Sequence, residues 1–232
     1  MKKRAILSWS GGKDSILALH ELKKHDEIEI VSLLTTVTDV YERISMHGVR
    51  RELLALQAAG LGYALEEVRI PQDCSNEMYE QRIQHALEKY QKKGVSCAAF
   101  GDLFLEEIRE YREKHLERIG LEAIFPLWGK NTAELSQQFI KQGFRAIVIC
   151  VDTKALDQSF AGREYDRTFL ADLPAMVDPC GENGEFHTFV YDGPMFRHRI
   201  HVERGERTMR DNRFSYCDLV DARKVSGVQA AA

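Results

Sequence analysis

Six consecutive residues, Ser10-Gly11-Gly12-Lys13-Asp14-Ser15, are of the types that hold a phosphate. They follow a short apolar run, Ala5-Ile6-Leu7, and precede one of helical period, Ile16-Leu17-Ala18-Leu19. A strand that ends in a Gly-Gly turn and feeds a helix N-terminus makes an anion site. The glycines let the backbone come close. The N–H groups of the first helical turn point at the anion, and the helix dipole favours its charge. Lys13 adds a full positive charge, and Ser10 and Ser15 add hydroxyl donors. Asp14 repels a phosphate unless a cation lies between them, which points to Mg²⁺. The spacing is neither Walker A nor GxGxxG. The competing reading is an ordinary strand–turn–helix junction with a serine cap.

A second dense cluster is Asp178-Pro-Cys-Gly-Glu-Asn-Gly-Glu-Phe-His-Thr188. Glycines on either side of Glu182 and Asn183 imply a tight backbone. Glu185 and His187 follow at the start of a strand, spaced to share one face. A Glu and a His on one face bind an amine or a metal, or move a proton; a hydrogen-bonded turn explains them equally well. Three further positions belong to the elements around the first loop. Gly101-Asp102 ends an apolar strand, where Asp102 either faces the phosphate loop and helps hold Mg²⁺ or caps the next helix. Arg109 and Arg112 suit an anion clamp or a solvated helix face. Thr35 and His47 lie at and beyond the end of the second strand, within reach of a nucleoside.

These residues need a scaffold, and the hydrophobic pattern supplies one. Strand-like segments Ala5–Ser8, Ile28–Leu34, Ala64–Ile70 and Val95–Phe100 alternate with helical ones, Ser15–Lys24, Arg51–Ala59, Asn76–Lys92 and Leu103–Ile119. That order predicts a doubly wound parallel α/β sheet, with ligands beyond the carboxyl ends of its strands. The texture then changes. Glu122–Phe125 and Arg145–Val151 read as strands and Thr132–Gln142 as a helix capped by Asn131. Ala155–Arg163 reads as a loop. Phe186–Tyr191, Arg197–Glu203 and Arg213–Val220 read as antiparallel strands separated by Gly-Pro and Arg-Gly-Glu turns. The expected division is residues 1–125 for nucleotide binding and 126–232 for a smaller α+β lobe that binds substrate.

Composition sets the limits. The chain has 232 residues, 44% apolar and 29% charged, with net charge −4. No apolar stretch approaches the roughly 20 residues of a membrane span. The five cysteines are scattered with no CxxC pair, as expected of reduced thiols in a cytoplasmic protein. Arg197, His198, Arg199, His201, Arg204, Arg207, Arg210 and Arg213 make the late chain basic. Glu203, Glu206 and Asp211 dilute this into a charged hairpin surface, so a nucleic-acid partner is not expected.

The string SGGKDS at 10–15 resembles the PP-loop of the ATP pyrophosphatases, which split ATP between its α and β phosphates. Together with GENGEFHTFVYDGPMF at 181–196, it is similar to the diphthine–ammonia ligase family of PP-loop enzymes. The resemblance runs over nearly the whole chain. It implies an adenine nucleotide alpha hydrolase-like lobe with a five-stranded sheet and a smaller C-terminal lobe carrying the second motif. It implies ATP and Mg²⁺ as cofactors, with Ser10 to Ser15 on the phosphates and Glu182 and Glu185 in the substrate pocket. The family's reaction adenylates the carboxylate of diphthine, a modified histidine of elongation factor 2, and ammonium then displaces AMP. Asn183 and His187 depart from the usual Gly and Glu. The Phe100–Arg109 and Asp178–Asn183 segments resemble a bacterial-type branch, and bacteria lack diphthamide. The implied partners are therefore a carboxylate substrate, small or protein-borne, and ammonium, with a homodimer as an option. Sulfur transfer to RNA and non-catalytic binding of ATP or AMP are the alternative functions.

Overall fold

Apolar β-branched runs alternating with amphipathic segments fix the order of the elements. The computed structural model describes residues 2–39, 43–44 and 48–225. The first half carries β1 (Lys3–Ser8), α1 (Lys13–Leu22), β2 (Ile28–Thr38), β3 (Arg43–Ile44), α2 (Arg51–Leu61) and β4 (Leu65–Ile70). It continues through α3 (Asn76–Gln91), β5 (Cys97–Ala99), α4 (Glu106–Arg118) and β6 (Glu122–Ile124). The second half carries α5 (Thr132–Lys141), β7 (Arg145–Asp152), a 3-10 turn (Gln158–Phe160) and α6 (Arg167–Asp172). It ends with β8 (Phe186–Asp192), β9 (Val202–Arg210), β10 (Phe214–Asp221) and α7 (Ala222–Val225).

The contacts divide the chain into two units. One holds Met1–Ser10, Asp14–Ser45 and Tyr63–Lys130; the other holds Gly11–Lys13, Met46–Gly62 and Asn131–Ala232. In the first unit five strands run parallel in the order β4-β2-β1-β5-β6, and β3 pairs antiparallel with the end of β2. This is the expected doubly wound order. β1, which leads into the phosphate loop, pairs on one side with β2 and on the other with β5, where the strand order reverses. One core cluster joins Ile6, Leu34, Val68 and Ala98 of the sheet to Ala86 and Leu87 of α3 and Leu116 of α4. Each buried Val, Leu or Ile side chain among these stabilises the fold by about 1.5–3 kcal/mol. Ile16, Leu19 and Leu22 on the buried side of α1 are likewise out of water.

The second unit has an antiparallel sheet of order β8-β7-β10-β9. Its last strands differ from the expectation. Residues 197–201 are not a strand, and β9 runs through Arg204-Gly205-Glu206 instead of turning there. The chain reverses at Asp211-Asn212, with φ of 52° and 48°. Asp and Asn tolerate this left-handed backbone, which a tight hairpin needs at both central positions. Gly205 sits where the β9–β10 register slips, between Arg204↔Leu219 and Arg207↔Cys217; a glycine inside a strand marks such a bulge. α6 has no counterpart in the sequence reading. Its cap is Asp166, whose carboxylate accepts the Phe169 N–H at 2.8 Å, an N-cap bond.

Candidate active site

The phosphate-loop residues are placed by two different sets of partners. In the first unit the Trp9 N–H donates to Leu34 O at 2.7 Å and carries the β1–β2 pairing beyond the end of β1. Ser10 Oγ lies 3.5 Å from Ser15 Oγ. Gly101 brings the end of β5 against the start of α1. A Cβ there would meet the Asp14 carbonyl carbon and oxygen at 3.0 Å and the Ser15 nitrogen at 3.2 Å. Gly101 therefore serves close backbone packing beneath the loop.

In the second unit Gly11–Lys13 lies along the outer edge of β8. The Val190 N–H donates to Gly11 O at 2.9 Å. Gln57 Nε2 donates to Gly11 O at 2.9 Å and to Val190 O at 2.6 Å. The Lys13 N–H donates to Thr188 Oγ1 at 3.0 Å, so one donor of the first helical turn is already committed within the protein. Gly11 has φ +78°, and a Cβ on it would sit 2.6 Å from Leu54 Cδ1 and 2.9 Å from Gln57 Oε1. Gln57 and Thr188 were not among the sequence candidates. Thr188 belongs to the second motif, but nothing in its residue type announces a bond to a residue 175 positions away. The Lys13 side chain is only 2% exposed. Its ammonium lies 5.3 Å from the centre of the Phe186 ring and 5.9 Å from that of Tyr165, within cation–π range.

The turn before β8 is held from within. Asp178 Oδ2 accepts the Glu182 N–H at 2.9 Å. Glu185 Oε1 accepts the Asp178 N–H at 3.0 Å and Asn183 Nδ2 at 3.0 Å. Glu185 Oε2 is buried with no hydrogen-bond partner among the described residues, in a side chain whose residue is 7% exposed. A buried carboxylate oxygen left with spare acceptor capacity calls for a donor. His187 follows Phe186 in β8 and opposite Cys150 in register. By strand alternation its side chain leaves the face that carries Phe186 and Thr188. Beyond it, Tyr216 of β10 is Cys150's other register partner. Burial pushes the Cys150 thiol up to about 11. Burial and the neighbouring thiol raise Tyr216 as well. Cys150 therefore stays protonated near neutral pH, which disqualifies it as a nucleophile.

Asp102 is engaged by Arg112, whose Nη2 donates to Oδ1 at 3.1 Å and whose Nε lies 2.7 Å from Oδ2. It does not cap α4; that position is Leu105, with no side-chain cap bond. Arg112 also covers the Phe100 ring at 4.4 Å. Arg109 packs on Trp128 at 4.7 Å and Phe125 at 5.2 Å and pairs with Glu113 at 2.7 Å. Thr35 is 3% exposed, and its hydroxyl has no hydrogen-bond partner among the described residues. It sits on β2 just past the last residue paired with β1. His47 lies outside the described residues. No group of three or more His, Cys, Asp or Glu among the described residues forms a metal cage. In the basic late segment, Arg204 pairs with Glu164 at 2.9 Å and Arg213 with Asp152 at 2.5 Å. Arg199 and Arg210 cover the rings of Tyr191 and Tyr216. No helix among the described residues is long and apolar enough to cross a membrane.

Comparison with known proteins agrees with this arrangement of motifs. A model described as the diphthamide synthase N-terminal domain matches residues 1–123, and one described as the diphthamide synthase C-terminal domain matches residues 131–225. The diphthine–ammonia ligase of Mus musculus is 24% identical over 233 residues, covering 90% of this chain and 85% of that protein. The Homo sapiens protein of the same name is 25% identical over 231 residues, covering 89% and 84%. The Bos taurus protein, also so named, is 31% identical over 125 residues, covering 51% and 45%. The chain belongs to the diphthamide synthase family and is a ligase of the PP-loop, ATP-using kind.

Proposed function

We propose that the enzyme adenylates a substrate carboxylate with ATP, releasing pyrophosphate, and passes ammonia or an amine to the acyl-adenylate, releasing AMP. The observation that carries this reading is the attachment of the Gly11–Lys13 backbone to β8, the strand that leaves the turn holding Glu185. A phosphate grip and a spare buried carboxylate oxygen thus share one small frame.

In this reading the loop amides and the Lys13 ammonium hold the triphosphate and stabilise the charge that develops on the departing pyrophosphate. The Thr35 hydroxyl serves the nucleoside. Mg²⁺ would supply further charge on the phosphates, with Asp14 as the loop carboxylate that would hold it; Asp102 is already paired with Arg112. The substrate carboxylate attacks the α phosphorus, and the bond to pyrophosphate breaks. Glu185 Oε2 accepts an N–H of the incoming ammonium or amine and takes its proton. The nitrogen then attacks the acyl carbon, and AMP leaves. Positioning and exclusion of water do most of the work. His187, whose side chain leaves the face of β8 that carries Phe186 and Thr188, takes no part in these steps.

The test uses ATP labelled at the α phosphate, Mg²⁺, ammonium and candidate acids. Diphthine-bearing elongation factor 2 comes first, because the relatives carry that name. The expected products are AMP and pyrophosphate, and Lys13→Ala abolishes them. ADP and phosphate would overturn the cleavage step. Saturable ATP binding with no AMP for any acceptor would favour a nucleotide-binding protein without turnover.

A further inference from the structure

We infer that Tyr165, which lies outside both motifs, is a positioning residue for the loop lysine. This rests on the reading that Lys13 grips the phosphates of ATP. A lysine side chain loses rotamer entropy when it is fixed. Lys13 is fixed in advance, buried with its ammonium over the rings of Phe186 and Tyr165. An aromatic face orients an ammonium without neutralising its charge.

Tyr165 is itself held on every side. Its N–H donates to Ala146 O at 2.8 Å. Its ring lies 5.4 Å from Phe139, 5.3 Å from Phe169 and 6.0 Å from Phe186, centre to centre. Its hydroxyl donates to Pro179 O at 2.7 Å. Pro179 belongs to the turn that carries Glu182 and Glu185. One ring therefore sets the position of the Lys13 ammonium and ties it to the turn bearing the spare carboxylate oxygen. The Phe186 ring does the first of these tasks from within the motif.

The experiment measures equilibrium MgATP binding to the wild type, Tyr165→Leu, Tyr165→Phe, Lys13→Ala and the double variant Lys13→Ala/Tyr165→Leu. Tyr165→Leu is expected to weaken binding about tenfold, the size of a partly desolvated cation–π contact. Tyr165→Phe, which keeps the ring, stays within about twofold of wild type on the same argument. In the Lys13→Ala background, Tyr165→Leu adds nothing, because a residue acting through Lys13 has nothing left to act on. Equal weakening by Tyr165→Leu in both backgrounds would overturn the proposal, as would a Phe variant no better than Leu. Normal ATP binding by Lys13→Ala would overturn the reading of the loop, and this inference with it. The unsubstituted protein gives a second readout that does not depend on a variant folding. The ε-methylene protons of Lys13 should resonate upfield of the other lysines, under the two ring currents, and an ordinary shift would sink the proposal.

Discussion

At the scale of the residue, chemistry is set by which groups still have bonding capacity. Glu185 and Asp102 are both acidic residues next to a glycine, and the sequence gives them equal promise. The fold separates them by charge: Asp102 lies against the Arg112 guanidinium, hydrogen-bonded through Oδ1 at 3.1 Å and ion-paired through Oδ2 at 2.7 Å outside hydrogen-bond geometry, while Glu185 Oε2 stays buried without a hydrogen bond among the described residues. No pattern of residue types carries that distinction, because it depends on a guanidinium ten positions along the chain in one case and on a turn geometry in the other. Gly11 was legible, since a Gly-Gly turn after a strand calls for positive φ or close approach, and it has both. The consequence is a sharp expectation for Gly11→Ala. The methyl group would overlap Leu54 and Gln57 at distances no Cβ tolerates, on a backbone conformation that alanine resists. Chemical denaturation should show a loss of about 1–3 kcal/mol, and ATP affinity should fall with it. An alanine variant as stable as wild type and equally tight for ATP would contradict this account of the loop.

At the scale of the element, strand edges decide the arrangement. The alternating β/α segments of the first half were readable because their periods are long and clear, and α5 was announced by Asn131 and Glu134, where the cap bond is 3.0 Å. The last hairpin was misread because Gly205 drew the turn to itself. Asp211 and Asn212, flanked by arginines, take the left-handed backbone instead, and Gly205 serves a bulge. Gly-Pro after β8 was read correctly as a break. What the elements hid is that β8, at the edge of its sheet, offers its outer side to Gly11 and Lys13 of the phosphate loop. Thr188 is the side chain that makes this attachment specific. Thr188→Val keeps the shape and removes the acceptor, leaving the Lys13 N–H in a buried place with its partner gone. An unsatisfied buried donor costs about 1–3 kcal/mol. The variant should melt at lower temperature and bind ATP more weakly, whereas Thr188→Ser, which restores the oxygen, should recover most of both. Recovery by Ser no better than by Val would mean that the hydroxyl does not hold the loop.

At the scale of the whole molecule, the chain's two halves are not its two units. A cut near residue 125 follows the change from parallel to antiparallel texture, and the two family models meet close to it. Yet Gly11–Lys13 and the segment containing α2 group with the residues after 131. Composition could not reveal this, since α2 looks like any amphipathic helix of a doubly wound fold. Its partners are specific. Arg50 pairs with Asp218 at 2.6 Å and Glu52 with Lys224. Gln57 bonds Val190, and Gly60 O accepts the Arg197 N–H at 2.9 Å. A fragment of residues 1–130 would therefore keep its parallel sheet but lose every one of these partners. Leu53, Leu54 and Ala58, buried in the full chain, would face water. Such a fragment should bind a hydrophobic dye, unfold without a sharp transition and fail to bind ATP. Adding residues 131–232 as a separate piece should restore ATP binding, because the loop and α2 regain β8. A 1–130 fragment that unfolds cooperatively and holds ATP as tightly as the intact chain would show that the phosphate site does not need β8.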